Sequence, residues 1–268
     1  MKQYPKIPKT IIIHGPGRSG TTLLHNMMCM HPSLGWISSW VNKYPKHGFL
    51  SVLNKCIELP TIDRFTRNKT KYPRPTEAYH FWQYYLPEFN SQTPQMTGED
   101  QQNTLKKLRS ILRWQGKKRL LFKITGNARA SILEQLFDDP YVIWINRAPK
   151  PVIMSYYKQR WGYKNNPQLF EQKDKKELIK EYVAKYEGFQ KERELLKPFR
   201  LLEVQYEDLV ANPKKVLMEI CTFCKLEMPT SFEKSIASWE MRKDTQSSYK
   251  KYLNEEEELF LDAQINKF

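Results

Sequence analysis

Short runs of β-branched and aromatic residues recur along the chain, separated by longer segments with helical spacing. Apolar runs at 10–15, 34–38, 119–124, 141–146 and 200–205 predict strands. Helical spacing predicts helices over 19–31, 76–86, 99–115, 129–137, 150–161, 175–197 and 213–225. Within the last, Val216, Leu217, Ile220 and Phe223 share one face. Strands alternating with helices imply an α/β fold, with a central parallel sheet flanked by helices on both faces. Ligands of such sheets sit beyond the carboxyl ends of the strands. No internal repeat or low-complexity linker interrupts the pattern, and 268 residues fit one domain over 1–268. The stretch 39–98 is aromatic and proline-rich (Trp40, Tyr44, Phe49, Trp82, Tyr84, Tyr85) and is expected to wall a pocket. Segments 160–174 and 239–255 are polar and lysine-rich. The end of the chain, 239–268, is expected to form a lid or tail, with Glu255 to Glu258 as a solvated helix start.

The first strand carries the most informative chemistry. Ile11-Ile-Ile-His14 runs into Gly15-Pro-Gly-Arg-Ser-Gly20, and a helix follows from about Ser19 to Thr22. Strand, glycine-rich turn and helix start together make a phosphate cradle: the glycines let the backbone approach an anion, and the helix N-terminus faces it with free N–H groups. The spacing nearly matches G-x-x-x-x-G-K-[ST], but Thr21 stands where that pattern has lysine. The cation is instead Arg18, inside the turn, whose planar fork suits a bidentate grip on phosphate or sulfonate.

Pro16-Gly17-Arg18-Ser19-Gly20-Thr21-Thr22-Leu23 resembles the 5′-phosphosulfate loop of sulfotransferases that use 3′-phosphoadenosine 5′-phosphosulfate (PAPS). Three further segments fit that resemblance, in the family's order. Tyr141 to Asn146, then Arg147, a proline turn and Ser155 eight residues on, are similar to the family's 3′-phosphate site. Tyr206-Glu-Asp-Leu ending a strand, followed by Asn212-Pro213, places Tyr206 near the nucleotide. Arg119-Leu-Leu-Phe-Lys123 is similar to the strand that sets a lysine beside the leaving group. The resemblance therefore implies a P-loop NTPase-like sulfotransferase fold. It implies PAPS as co-substrate and adenosine 3′,5′-bisphosphate (PAP) as product; no metal is expected, because a single sulfonate carries less charge than a triphosphate tail. It also implies contacts to the nucleotide from Gly17, Arg18, Ser19, Gly20, Thr21, Thr22, Arg147, Ser155 and Tyr206. Late segments close over the nucleotide in relatives, which adds Ser247, Ser248 and Lys250. One departure is informative. Cytosolic phenol and steroid enzymes of the family have a histidine as base two residues after the lysine; here that residue is Thr125. The chain thus leans toward the bacterial-type and Golgi-type group.

Sulfuryl transfer to a hydroxyl or amine needs a base for the acceptor proton and cations around the departing oxygen. Arg18, Lys123 and the backbone of 19–22 can supply the cations and donors. The base candidates are Glu77, His14, His47 and His80, with Glu77 first and His14 second. Glu77 lies in Tyr72-Pro-Arg-Pro-Thr-Glu-Ala-Tyr-His-Phe-Trp82, with Thr76 as a candidate helix cap. A carboxylate desolvated by aromatic neighbours holds a proton more tightly, which suits a base.

A net charge of +15 favours anionic partners, and the donor accounts for part of it. The lysines are spread as pairs on helix faces, so nucleic acid is not the expected partner. The acceptor is expected to be a small molecule, a glycan or a lipid. No run reaches the ~18 apolar residues of a membrane span, and residues 1–9 lack the apolar core of a signal peptide. A cytoplasmic enzyme is expected if the chain is full length. Cys221 and Cys224 form a lone C-x-x-C inside a helical pattern and read as buried thiols, as do the scattered Cys29 and Cys56. Two other readings stay open. A P-loop kinase or NTPase lacks its lysine here. A non-catalytic binder of nucleic acid or an anionic ligand on the same fold would be supported by loss of Arg18 or Lys123, and both are present.

Overall fold

A computed structural model describes residues 4–58, 73–91, 93–239 and 247–267, the side chains of 57, 58, 247 and 248 excepted. The strands are β1 (Ile7–Pro8), β2 (Ile11–His14), β3 (Leu34–Trp36), β4 (Arg119–Lys123), β5 (Phe137–Asp138), β6 (Tyr141–Asn146) and β7 (Arg200–Gln205). Five of them form one sheet in the order β3-β4-β2-β6-β7, all parallel; β1 and β5 pair separately beside it. β2 lies at the centre, with Ile11 opposite Leu121 on one side and Tyr141 on the other. The predicted strands are all present, because parallel strands buried on both faces are written as unbroken apolar runs.

The helices are α1 (Thr21–Met28), α2 (Ser39–Lys43), α3 (Tyr79–Tyr85), α4 (Gly98–Gln115), α5 (Ala130–Leu136), α6 (Pro149–Lys158), α7 (Pro167–Glu171), α8 (Lys175–Lys191), α9 (Tyr206–Ala211), α10 (Pro213–Phe223), α11 (Thr230–Ala237) and α12 (Glu255–Ile265). Three 3-10 segments, Gly48–Glu58, Glu192–Leu196 and Ser247–Tyr252, join them. The strand period of two divides the core. Ile12, Leu120, Phe122, Val142 and Trp144 face α3, α4 and α5 through Trp82, Leu108 and Leu133. Ile11, Ile13, Leu121, Ile143 and Ile145 face α1 and α10 through Leu24, Met28 and Leu217. Each such side chain contributes about 1.5–3 kcal/mol by burial. A third cluster joins α6, α8 and α12 through Ile153, Tyr182 and Leu261.

Helix starts differ from expectation at two places. The helix predicted from 76 begins at Tyr79, because Ala78 takes a left-handed backbone (φ +58°); Thr76 is therefore not its cap. The helix predicted from 129 begins at Ala130 for the same reason at Arg129 (φ +53°). Glu256, Glu257 and Glu258 are not a free solvated start. They pair with Lys176, with Lys175 (2.7 Å) and with Lys150 (3.2 Å), and so clasp α12 to α8 and α6. Cys29, Cys221 and Cys224 are buried free thiols, and Cys56 is half-buried.

The start of α4 carries a capping box. Thr97 Oγ1 accepts from Asp100 N, and Asp100 accepts from Thr97 N in return. Thr97→Ala is expected to cost about 1 kcal/mol of stability, read as a lowered urea midpoint; an unchanged midpoint would show that the box does not hold α4.

Candidate functional site

β2 ends at His14, the turn spans Gly15–Gly20, and α1 begins at Thr21. A Cβ on Gly15 would lie 2.5 Å from Ile145 O, so only glycine lets β2 and β6 close this tightly. Gly20 caps α1 at φ +101° with no side-chain cap, and a Cβ there would meet the Tyr206 ring at 2.3 Å. The N–H groups of the first α1 turn are thereby left for an anion. Inside the turn Arg18 is left-handed at φ +70°, a conformation that costs a non-glycine residue roughly 1–2 kcal/mol.

Neighbouring elements hold that strained residue. Arg18 Nε donates to Ser155 Oγ on α6 (2.9 Å), and Arg147 Nη1, beyond the end of β6, donates to Arg18 O (3.2 Å). Ser19 Oγ donates to Pro16 O (2.7 Å). The Arg147 guanidinium also lies 4.2 Å from the centre of the Tyr206 ring. Burial lowers the Arg147 pKa, opposed by Tyr206 and Glu207; the guanidinium stays charged all the same. Tyr186 hydroxyl donates to Arg147 O (3.0 Å), and Ala148 N donates to Glu207 Oε1 (3.1 Å), fixing the strand end. Arg18, Ser155, Arg147, Tyr206 and Gly20, spread over 188 positions of sequence, thus meet around one turn. The guanidinium of Arg18 reaches toward Ser155, so it links two segments that the sequence holds far apart.

A second group closes the other side. Lys123, at the end of β4, donates to Thr22 Oγ1 (2.7 Å) and stands 3.6 Å from Glu77 Oε2. Burial lowers the Lys123 pKa, Glu77 opposes the shift, and Arg18 adds to it. Thr125 Oγ1 donates to Glu77 Oε1 (2.6 Å), and the Tyr79 hydroxyl lies 3.1 Å from Thr125 Oγ1. Glu77 is therefore held by polar partners rather than walled in by rings. Its segment is pinned by the Ser38–Pro75 bridge and by Ser39 N donating to Arg74 O (2.8 Å).

The chain belongs to the sulfotransferase family. A model of the family described as "Sulfotransferase family" matches residues 8–230, most of the chain. The fold is similar to that of sulfotransferase STF9 from Mycobacterium avium (15% identity, 98% of this chain and 78% of that one, TM-score 0.61). It is also similar to the sulfotransferase domain of the Synechococcus PCC 7002 olefin synthase (18%, 100% and 96%, TM-score 0.55). A third likeness is to mouse sulfotransferase SULT7A1, solved with PAP (14%, 99% and 84%, TM-score 0.50). No curated protein matches the sequence. The activity of the family is sulfuryl transfer from PAPS, with PAP as product; a kinase or NTPase reading is not favoured.

Three residue expectations for this sulfotransferase change with the structure. His14 is fully buried, stacked on Trp144 (centroids 5.2 Å) with Nε2 3.2 Å from Asn127 O. It braces the strand end and faces no open space, so it does not stand as a base. His47 and His80 are exposed outside this cluster. Lys250 lies on the rim of a cavity of about 450 Å³ whose wall also includes Ala148, Lys150, Glu207, Tyr249 and Asp262. Ser247 and Ser248 fall in the adjoining 3-10 segment, with side chains outside the described residues. Among the described residues, no cluster of His, Cys, Asp or Glu is arranged to hold a metal ion.

Two functional neighbours escaped the sequence. Tyr156 hydroxyl donates to Gly17 O (2.9 Å), and the Trp161 ring packs so closely on Gly17 that a Cβ there would fall 1.9 Å away. Trp161 is aimed by the end of α6. Left-handed Arg160 (φ +47°) donates through its N–H to Tyr157 O, and Trp161 N to Tyr156 O, the paired bonds of a Schellman motif. The signal was an aromatic residue just past an amphipathic helix and before Gly162.

Gly17→Ala is expected to weaken PAP binding at least tenfold by calorimetry. Adding Trp161→Ala should recover part of that loss, because it clears the space the methyl needs; no recovery would show that the indole does not set the turn. Burial lowers the pKa of His14 from 6.5 to about 3, and that of His25 likewise. The unfolded chain takes up these protons near pH 6.5 and the folded one only near pH 3. Stability present above pH 6.5 is therefore lost as pH falls through that window. Urea midpoints measured from pH 7.5 to 5 should drop, and less steeply in His25→Leu; an equal slope in both would remove His25 from this account.

Proposed function

We propose that Glu77 takes the acceptor proton while Lys123, Arg18 and the α1 N-terminus hold the charge that develops on the departing phosphate. The bond that breaks joins the sulfuryl group to the phosphate oxygen. The bond that forms joins sulfur to the acceptor oxygen or nitrogen. Lys123 is the buried cation of the group and reaches both the turn, at Thr22, and Glu77, so it is the residue that ties donor to base. Such positioned charges act before and during bond cleavage without rearranging, which is the main lever available to transfer of this kind. Arg147, Ser155 and Tyr206 take the 3′-phosphate end, with Arg18 between the two anionic groups. Lys250 and Ser248 belong to the rim of that side. The residues present fit a doubly anionic nucleotide, because a helix N-terminus without a side-chain cap and two arginines converge on one turn.

One observation carries this reading: the lysine–glutamate pair at the end of β4 reaches the first turn of α1 at Thr22, across β2 from Arg147 beyond the end of β6. Thr125 supports it, since the residue in the family's histidine position here serves to hold Glu77. The acceptor is a small molecule with a hydroxyl or amine, and we extend this to a glycan or lipid carrying such a group, with no nucleic-acid partner. Among the described residues, no helix is long and apolar enough to cross a membrane; a cytoplasmic location is part of the proposal.

Arg18→Ala and Arg147→Ala should each weaken PAP binding by about 1.5–3 kcal/mol, the scale of a charge-assisted hydrogen bond. Unchanged calorimetric affinity in both would overturn the site. Glu77→Gln should abolish transfer of labelled sulfate from PAPS across a panel of sugars, lipids and phenols, with PAP affinity kept within about threefold. Full turnover in that variant would move the base elsewhere. Thermal stabilisation by PAP should need no magnesium.

A further inference from the structure

The first carboxylate in the chain is Glu58; residues 1–57 contain neither Asp nor Glu. Part of that stretch, from α2 through the 3-10 helix Gly48–Glu58, forms a continuous outer surface with the end of α3. Tyr44, Phe49 and Tyr84 are 46%, 50% and 48% exposed on it. The pieces are tied together by contact. Lys43 Nζ lies 5.3 Å from the Tyr44 ring centre, and Lys46 Nζ 5.7 Å from that of Tyr84. Tyr85 hydroxyl donates to Pro45 O (3.1 Å), Lys107 Nζ donates to Lys46 O (2.7 Å), and His47 packs edge-on against Phe49.

The 3-10 helix explains the apolar part. With three residues per turn, side chains at i and i+3 eclipse. Ser51 and Asn54 form the buried line, Ser51 Oγ donating to Ile111 O and Asn54 Nδ2 to Trp36 O. Phe49, Val52 and Lys55 form the next line and are all exposed; the line ends at Glu58, whose side chain is outside the described residues. The acids of α4, Glu99 and Asp100, are confined to its first turn, far along the helix from Lys107. The next acid after α3 is Glu88, which accepts from Gln95 N. Among the described side chains, this face is thus apolar and aromatic at its crest and cationic around it.

We propose that this face docks the protein on an anionic lipid bilayer. Aromatic and aliphatic side chains that enter the headgroup layer, ringed by lysines that meet lipid phosphates, are what such a surface binds. A polyanionic polysaccharide would match the lysines but not the crest. Phe49 and Val52 offer no hydrogen bond to a sugar, and the amide oxygen of Asn42 already accepts from Phe81 N. The proposal stands on this surface alone and is independent of the donor chemistry.

The test is co-sedimentation of the full chain with vesicles of phosphatidylcholine alone or mixed with phosphatidylglycerol, at 0.1 M and 0.5 M salt. Wild type should bind the mixed vesicles and lose binding as salt rises. Lys43→Glu with Lys46→Glu should weaken binding at least tenfold. Phe49→Ser should weaken it severalfold while keeping the salt dependence. Each variant should keep the wild-type melting temperature, since the side chains are half exposed. Equal binding to both vesicle types, or unaltered binding in both variants, would overturn the proposal. So would tight binding of heparin by wild type and Phe49→Ser alike, which would assign the face to a polysaccharide.

Discussion

Arg18 carries a left-handed backbone in the middle of the glycine-rich turn, and the molecule is organised around keeping it there. Its carbonyl is gripped by Arg147, its guanidinium by Ser155, and the preceding Gly17 by Tyr156 and Trp161. Three of these side chains come from α6 or its C-terminal cap. A parallel sheet makes this possible, because all its carboxyl ends lie at one edge and whatever follows each strand is delivered to the same place. Strain at such a residue persists only where surrounding structure over-determines it. The cost is returned as readiness: the cations stand in place before any anion arrives, and less ordering remains to be done on binding.

The opposite wall is built around the side chain at position 125. With threonine at position 125, the place two residues after Lys123 holds no imidazole. The hydroxyl instead fixes a carboxylate brought in by a different segment, whose direction is set by left-handed Ala78. The lysine then sits between an acidic group and the phosphate turn, and burial makes both contacts stronger than they would be in water.

The sheet was legible because strands buried on both faces write themselves as runs such as Tyr141 to Asn146. The turn was legible because its glycines and arginine are adjacent in sequence. Helix starts at 78 and 129 were not, since alanine and arginine give no local sign of a left-handed backbone; tertiary contacts impose it. Arg129 is held by the carbonyls of Phe89 and Asn127. His14 was misread for a similar reason. Proximity to the turn is a local property, but burial against Trp144 and Asn127 is not, and burial decides whether an imidazole can exchange protons. The pairing of Glu256 to Glu258 with lysines about 80 to 110 positions upstream likewise leaves no trace in the acidic run itself.

That acidic run sets how the far rim of the cavity is attached. Helix α12 is anchored by the fully buried Leu261, by partly buried Phe260 and Ile265, and by partly exposed ion pairs to α6 and α8. Attractions between exposed charges fade within about 10 Å at 0.1 M salt and over shorter distances as salt rises. Rising salt therefore weakens the ion pairs of the C-terminal helix while leaving the apolar sheet beneath untouched, so this edge of the molecule is the part whose attachment answers to the ionic composition of the surroundings.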